Sequence, residues 1–196
     1  MNIYNGESRQ EKILIVSYSY SGNTHRIARE IQRLSDGDLC EIYPWQPYPM
    51  SFPELLAQVR QEVRSNYRPR LLPQPYFPKE YGVIFVGSPN WCGTIAPPLA
   101  SWLYHNNLAG KVLLPFSSHC GGVPGNMRRD VARLCPKADV RDVLSIINDG
   151  GDSLSGRVRL WMKKIRLRKG DWNDEKEHWK YTCIIPDTAC SSRNTC

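Results

Sequence analysis

Five segments of the chain are rich in apolar and β-branched residues and have the length of strands. They lie at residues 12–18, 39–43, 81–87, 111–116 and 140–147. The first and third are almost uninterrupted in their hydrophobicity, which is typical of strands buried on both faces of a parallel sheet. Pro115, in the fourth segment, lacks the N–H group that a central strand donates. We therefore expect it near the end of that strand or at a bulge.

Stretches with a helical spacing of apolar residues separate these segments. The apolar stripes are Ile27, Ala28, Ile31 and Leu34; Leu55, Leu56, Val59 and Val63; Leu99, Ala100, Trp102 and Leu103; Met127, Val131 and Leu134; and Leu154, Val158, Trp161 and Ile165. Pro97 and Pro98 suit the first turn of the third helix. Strands that alternate with helices predict right-handed βαβ units, and hence an α/β fold with a parallel sheet covered on both faces.

One domain is expected to account for most of the chain. A length of 196 residues suits a single α/β domain with its own core. We place this domain at residues 1–169 and interpret residues 170–196, which follow the last helical pattern, as a C-terminal tail of unknown role. The connection 43–80 contains eight of the fifteen prolines, and long connections of this kind are often lids or binding loops.

Hydropathy and cysteine usage predict a cytoplasmic protein. No apolar run approaches the roughly 20 residues that span a bilayer, and the polar N-terminus lacks the apolar region of a secretory signal. The seven cysteines are scattered and never spaced as CxxC. This pattern favours reduced thiols over a disulfide scaffold or a metal site.

The positive charge of the chain is concentrated in one helix. The formal net charge is +7, and residues 153–169 contain seven Lys and Arg residues and no acidic residue. A charge run is usually the solvated face of a helix, so we do not expect nucleic-acid binding. The alternative interpretation is a patch for nucleic acid, anionic lipid or an acidic partner.

The first strand runs directly into the polar sequence SYSGNT, residues 19–24. A helix that starts near Thr24 offers unpaired N–H groups and a partial positive charge. Ser19, Ser21 and Thr24 add hydroxyl donors, and Gly22 lets the backbone curl around an anion. The sequence is neither GxxxxGK[ST] nor GxGxxG and contains no lysine. These features predict a cradle for a terminal monophosphate, whereas a capped helix with a polar turn is the alternative.

Two further loops follow strands at the same predicted edge of the sheet. The sequence SPNWCGT follows the third strand, and SSHCGG follows the fourth. Their small residues allow close backbone approach, and Trp91 supplies a flat aromatic surface. Because ligands of open parallel sheets bind at the carboxyl ends of the strands, we expect these loops to enclose a planar ring.

The three loops, in this order, resemble the flavodoxin family. The motif SYSGNT resembles its phosphate loop, VGSPNWCGTIAPPLASWL its second flavin loop and following helix, and GKVLLPFSSHCGG its fourth strand and third loop. IYPWQPYPMSF resembles the Tyr-Pro-rich second connection of short bacterial members. The resemblance covers about residues 12–169. It implies a flavodoxin-like three-layer sandwich with a doubly wound five-stranded parallel sheet, order 2-1-3-4-5, and non-covalent FMN.

The resemblance also implies a role for each loop. The phosphate of FMN would be held by Ser19, Ser21, Gly22, Asn23 and Thr24, with Tyr20 contributing mainly its backbone. The isoalloxazine ring would be bordered on one side by Pro89, Asn90, Trp91, Cys92 and Gly93, and on the other by Ser118, His119, Cys120, Gly121 and Gly122. The implied function is electron transfer to a redox partner protein or a small-molecule acceptor, with no catalytic residue assigned.

The sequence also departs from the family pattern and leaves alternatives open. His119, Cys120 and glycines stand where many flavodoxins stack a tyrosine, and the chain is basic whereas typical carrier flavodoxins are acidic. One alternative is an NAD(P)H-dependent quinone or flavin reductase, and another is a binding module without flavin. A cysteine phosphatase is disfavoured because Asn126 stands at the arginine position of HCx5R. A redox pair of Cys92 and Cys120 is a further alternative.

Overall fold

The computed structural model describes residues 12–121 and 125–165. Its elements alternate between strands and helices, as the hydrophobic pattern predicts. The strands are β1 (Ile13–Ser17), β2 (Asp38–Glu41), β3 (Val83–Trp91), β4 (Thr94–Ile95), β5 (Val112–His119), β6 (Asp139–Val140) and β7 (Leu144–Ile147). The helices are α1 (Asn23–Ser35), α2 (Phe52–Ser65), α3 (Pro97–His105), α4 (Met127–Leu134) and α5 (Leu154–Lys164), with short 3-10 helices at Pro78–Glu80 and Gly151–Ser153.

The strands form one sheet in the order β2-β1-β3-β5-β6, and β7 also pairs with β5. All pairs are parallel except β3–β4, which is antiparallel. The predicted α/β class is confirmed, and the predicted order 2-1-3-4-5 is matched in part. The predicted strand count of five is wrong, because the sheet of the described residues has seven strands. The difference arises where the fifth predicted strand divides into β6 and β7 and where the second flavin loop forms the hairpin β3–β4.

The division of the last strand coincides with Pro115. Leu113 pairs with Val140 of β6, and Phe116 pairs with Leu144 of β7. Between these two pairs β5 has two residues, whereas the edge segment that joins β6 to β7 has three. The N–H of Arg141 donates to the carbonyl of Leu113 at 3.0 Å. Alternate residues of a strand face the same neighbour, and Pro115 therefore faces the interruption, where its missing N–H costs no ladder hydrogen bond. Pro115 is the fourth of the eight residues of β5, so it does not lie near the strand end, and it is the neighbouring edge that is interrupted opposite it.

Two apolar layers cover the sheet, one on each face. Leu14 and Val16 of β1 belong to a core with buried residues of α2, α3 and α4. Ile13 and Ile15 belong to a second core with buried residues of α1 and α5. This alternation along β1 is the reason that its sequence is continuously apolar. The result is the predicted three-layer sandwich, with the carboxyl ends of β1, β3 and β5 at one edge.

The proline-rich connection folds back on itself beside α2. The backbone of Pro44 bridges Leu71 in antiparallel fashion, and the N–H of Trp45 donates to the carbonyl of Arg70 at 2.8 Å. The hydroxyl of Ser101 in α3 donates to the carbonyl of Pro69 at 2.7 Å. These contacts hold residues 43–45 and 69–72 in fixed positions.

The basic helix packs on the sheet as an ordinary amphipathic helix. Trp161 of α5 lies edge-on against Phe85 with ring centroids 5.7 Å apart, and Arg157 donates to the carbonyl of Ser145 at 2.7 Å. Lys164 lies 3.7 Å from the carboxylate of Asp142. Arg166, Arg168 and Lys169 of this run, residues 1–11 and the predicted tail at 170–196 lie outside the described residues. Within 12–121 and 125–165, no helix combines the length and hydrophobicity needed to cross a bilayer.

Candidate flavin site

The first loop joins β1 to the start of α1 through a glycine in the left-handed region. Gly22 has φ 88° and precedes the first residue of α1, Asn23. Only glycine adopts this conformation without steric cost, and its backbone thereby turns the helix N-terminus toward the loop. The first turn of α1 carries no acidic side chain, so the partial positive charge of the helix start is not neutralised there.

The hydroxyl of Ser19 is the feature that best fits an anion. Its oxygen is buried and, among the residues that the structure describes, has no hydrogen-bond partner. Ser21 and Gly22 are exposed beside it, and a Cβ atom placed on Gly22 would meet nothing within 4 Å. Buried hydroxyl groups are ordinarily hydrogen-bonded. An unpaired hydroxyl, an open backbone turn and a helix start therefore fit the phosphate group that the sequence predicts here.

Thr24 connects the first loop to the third. Its side chain is buried, and its hydroxyl shares a hydrogen bond of 2.8 Å with the hydroxyl of Ser118. Sequence analysis places Thr24 at the phosphate and Ser118 beside the ring, without a contact between them. Their hydrogen bond holds the start of α1 against the end of β5, so the phosphate-loop helix and the third loop have a fixed relation.

The second predicted loop is largely a hairpin. β3 extends through Pro89 and Asn90 to Trp91, which pairs with Thr94 of β4. Cys92 and Gly93, with φ 52° and 80°, form the two-residue turn between these strands. Two successive positive φ values characterise the tight turns of β-hairpins. The sequence predicted that residues 88–94 form a loop after the third strand, without a hairpin.

Trp91 lies in a cluster of tyrosines at the strand ends. Its ring makes near-perpendicular contacts with Tyr18, Tyr20 and Tyr48, with centroid distances of 5.5, 5.9 and 5.0 Å. Tyr20 also donates its hydroxyl to the carbonyl of Pro49 at 2.7 Å. Sequence analysis gave Tyr20 mainly a backbone role, so the contacts of its ring and hydroxyl are additional. We call Tyr18, Tyr20, Tyr48 and Trp91 the aromatic cluster.

Two members of the aromatic cluster were not identified from the sequence. Tyr18 follows the buried strand β1, and Tyr48 lies in the proline-rich connection about 30 residues further on. Burial raises the pKa of both phenols well above the ordinary value, and the nearby carboxylate of Glu62 raises both pKa values further. Both phenols therefore stay neutral and can donate hydrogen bonds at any physiological pH. The resemblance of IYPWQPYPMSF to the family connection was the only sequence signal for Tyr48.

The third loop is anchored at its two ends. The carbonyl of His119 accepts a hydrogen bond from the N–H of Asn148 at 2.7 Å. The Nδ1 atom of the His119 ring accepts a hydrogen bond from the N–H of Gly121 at 3.2 Å. The N–H of Asn126 donates to the carbonyl of Gly93 at 2.9 Å, which brings the far end of this loop to the hairpin turn. Cys120 and Gly121 are exposed. Gly122, also a predicted ring neighbour, lies outside the described residues.

The positions of Cys92, Cys120 and Arg128 give little support to the two cysteine-based alternatives, a redox pair and a cysteine phosphatase. Cys92 and Cys120 are both exposed, on the hairpin turn and the third loop, so their pairing stays a prediction. Arg128, which lies two residues beyond the arginine position of HCx5R, donates from its guanidinium to the carbonyl of Val140 at 3.2 Å. A cysteine phosphatase needs a cation beside the thiolate, and this contact gives Arg128 a different partner.

Comparisons with known proteins agree with this fold. A family model described as flavodoxin matches residues 12–165. A presumed flavoprotein from Bacteroides eggerthii DSM 20697 has a similar structure, with TM-score 0.71 and 23% identity over 81% of this chain and 99% of that one. A flavoprotein from Lactobacillus acidophilus NCFM, crystallised in complex with FMN, gives TM-score 0.62 and 19% identity over 78% and 99% of the two chains.

The apo-form of that Lactobacillus flavoprotein, solved by NMR, gives TM-score 0.55 and 21% identity over 75% of this chain and 97% of that one. A comparison with curated proteins finds no match. The structural likenesses establish the fold, and the family match covers the sheet, the helices and all three loops. The chain belongs to the flavodoxin family.

Proposed function

We propose that this protein binds FMN non-covalently at the three loops and transfers electrons through it. The observation that carries the proposal is the buried, unpaired hydroxyl of Ser19 beside the glycine-opened start of α1. A terminal phosphate supplies acceptor oxygens for this hydroxyl, for Ser21 and for the first N–H groups of the helix. FMN carries such a phosphate, and a cofactor of this kind supplies the redox chemistry while the protein binds and orients it.

In this proposal each loop keeps the role that the sequence predicts. Ser19, Tyr20, Ser21, Gly22, Asn23 and Thr24 bind the phosphate and its surroundings; Pro89, Asn90, Trp91, Cys92 and Gly93 border one side of the ring; and Ser118, His119, Cys120, Gly121 and Gly122 border the other. The aromatic cluster adds apolar surface next to Trp91, which excludes water from that side.

The electron acceptor in this proposal is a redox partner protein or a small molecule. We also propose a cytoplasmic location: Cys40, Cys92, Cys120 and Cys135 form no disulfide within residues 12–121 and 125–165, and free thiols suit a reducing compartment. Residues 12–165 contain the whole proposed binding unit, and the tail at 170–196 takes no part in it.

A visible absorption spectrum of the purified protein, followed by titration with FMN, tests the proposal. We expect flavin bands, or saturable quenching of FMN fluorescence with a Kd of about 1 μM or tighter, which corresponds to about −8 kcal/mol. Reduction of the loaded protein with NADH, NADPH or dithionite then distinguishes an NAD(P)H-dependent reductase from an electron carrier. Failure to bind FMN at high concentration would contradict the proposal and favour a flavin-free binding module.

A further inference from the structure

A separate cavity of about 470 Å³ lies between α2 and the proline-rich connection. Its lining includes Trp45, Tyr48, Glu62, Tyr67 and Arg70. None of these five residues belongs to the three loops at the carboxyl edge of the sheet. We call it the side cavity. A volume of this order is typical of sites for small molecules.

The walls of the side cavity are held by backbone contacts. The N–H of Trp45 donates to the carbonyl of Arg70 at 2.8 Å, and the N–H of Tyr67 donates to the carbonyl of Glu62 at 2.9 Å. The first contact joins the two ends of the proline-rich connection that flank the cavity, and the second fixes Tyr67 against the end of α2. The cavity is therefore a preformed feature of the fold, which lowers the entropic cost of filling it.

The floor of the side cavity contains a buried carboxylate. Glu62 is 7% exposed and accepts hydrogen bonds from the hydroxyl of Tyr48 at 2.6 Å and the amide of Gln58 at 2.8 Å. Both of these partners are neutral. A carboxylate accepts about four hydrogen bonds, so Glu62 retains the capacity to accept one from a molecule in the cavity.

The rim of the side cavity is aromatic and open to solvent. Trp45 is 54% exposed and Tyr67 is 50% exposed, although large aromatic side chains are usually well buried. The guanidinium of Arg70 lies 4.5 Å from the centroid of the Trp45 ring, so it covers one face of this ring and leaves the remaining ring surface to a ligand. Exposed aromatic walls above a hydrogen-bond acceptor suit a flat ring that carries a donor.

The charges of the cavity favour a neutral ring over a cationic one. A cation would gain from Glu62 but would meet the guanidinium of Arg70 at the rim. A hydroxyl or neutral amino group donates to the carboxylate without this repulsion. We propose that the side cavity binds a small planar aromatic molecule with a hydroxyl or amino donor, which Glu62 accepts while Trp45 and Tyr67 contact the ring.

This inference is independent of FMN binding, although the two sites are neighbours. The ring of Tyr48, whose hydroxyl binds Glu62, lies 5.0 Å from that of Trp91 in the aromatic cluster. A molecule in the side cavity would thus lie next to a residue that contacts the proposed flavin site.

Resorcinol and 1,3-dimethoxybenzene form a matched pair of probes, since they share a ring but only the first has hydroxyl donors. Titration of the full ¹⁵N-labelled protein with each probe, followed by NMR, measures binding at assigned signals. We expect saturable shifts at Trp45 and Tyr67 with resorcinol, with a Kd below about 1 mM. We expect dimethoxybenzene to bind at least about 10-fold more weakly, because it leaves the carboxylate without a donor.

Variants identify the binding residues. Trp45→Ala and Glu62→Gln should each weaken the affinity for resorcinol about 10-fold. Trp45→Ala is a surface change that leaves the core intact. Leu160→Ala, on the exposed face of α5 and the opposite side of the sheet, is the control and should change nothing. Ser21→Asp should keep resorcinol binding while losing FMN, so that failure of one proposal is distinguishable from failure of the other.

Three results would overturn the inference. The first is equal affinity for the two probes, since the carboxylate would then have no part in recognition. The second is unchanged resorcinol affinity in both cavity variants. The third is a set of shifts confined to Trp91 and Gly93, which would place the probe at the flavin site.

Discussion

The proposed phosphate loop, residues 19–24, and the aromatic cluster lie at the same edge of the sheet, but they are built in different ways. The phosphate loop is local: the unpaired hydroxyl of Ser19, the glycine turn and the helix start all lie between residues 19 and 24. The aromatic cluster is assembled from three distant segments, with Tyr18 and Tyr20 after β1, Tyr48 in the proline-rich connection and Trp91 at the end of β3.

This difference separates the roles of charge and of apolar surface in the proposed site. The phosphate loop offers hydrogen-bond donors and a helix terminus, so it should determine whether an anion binds. The aromatic cluster offers ring surface, and its tyrosines depend on packing between segments that are far apart in the chain. A change at exposed Ser21 of the loop should therefore affect ligand affinity with little effect on folding, whereas changes in the cluster should affect both.

The largest effect is expected from Ser21→Asp. The new carboxylate lies where the FMN phosphate is proposed to bind, and like charges in contact cost several kcal/mol. We expect FMN affinity to fall at least about 100-fold, while the thermal unfolding midpoint changes little because Ser21 is exposed. Ser21→Ala is the matched control and should lose far less affinity. Unchanged FMN affinity in Ser21→Asp would refute the assigned phosphate loop.

A smaller loss is expected from Trp91→Ala. Removing a ring that contacts a bound aromatic group typically costs about 1–3 kcal/mol, so FMN affinity measured by fluorescence titration should fall about 10-fold. Stability should also fall, because Trp91 contacts three tyrosines. Tyr104→Ala, an exposed aromatic change on α3, provides the comparison. If Trp91→Ala binds FMN as tightly as Tyr104→Ala does, the ring has no part in the site.

The pH dependence of the stability of Tyr48→Phe tests how deeply Tyr48 is buried in the aromatic cluster. At pH 7 the variant loses the hydrogen bond to buried Glu62, and its free energy of unfolding should fall by about 1–2 kcal/mol. Burial raises the pKa of Tyr48. Above pH 10 the unfolded wild type therefore releases a proton that the folded state retains, and its stability falls as pH rises.

Tyr48→Phe lacks this titration. The difference in free energy of unfolding between the wild type and the variant should therefore shrink as pH rises from 10 to 11, by up to about 1.4 kcal/mol. Urea unfolding at a series of pH values between 7 and 11 measures the difference. Tyr104→Phe, at an exposed position, should follow the wild type throughout. A deficit for Tyr48→Phe that is independent of pH would show that the phenol is not held neutral by burial.

Truncation after Lys169 should have the smallest effect. The family match ends at residue 165, and both the phosphate loop and the aromatic cluster lie before that point. We expect the shortened chain to keep its unfolding midpoint and its FMN affinity within error of the full chain. An insoluble product, or one that no longer binds FMN, would show that residues 170–196 belong to the domain.

The sequence predicted those features that depend on neighbours along the chain. Apolar periodicity located α1 to α5 and the buried strands, and the missing N–H group of Pro115 indicated an irregularity in the pairing of its strand, which lies in the edge opposite it. It did not predict the hairpin at Cys92 and Gly93, because turn-forming residues have the same composition in an open loop and in a hairpin. Nor could it pair Tyr48 with Trp91 or Thr24 with Ser118, since these contacts form only when separate strands and connections come together.

The central claim is that the first loop binds a terminal phosphate. Parallel titrations of the wild-type protein with FMN and with riboflavin, which has the same ring but no phosphate, test this claim most directly. The claim predicts that riboflavin binds at least about 100-fold more weakly, because it leaves the Ser19 hydroxyl and the helix N-terminus without an acceptor. Equal affinities for the two flavins would contradict it, since ring contacts alone would then account for binding.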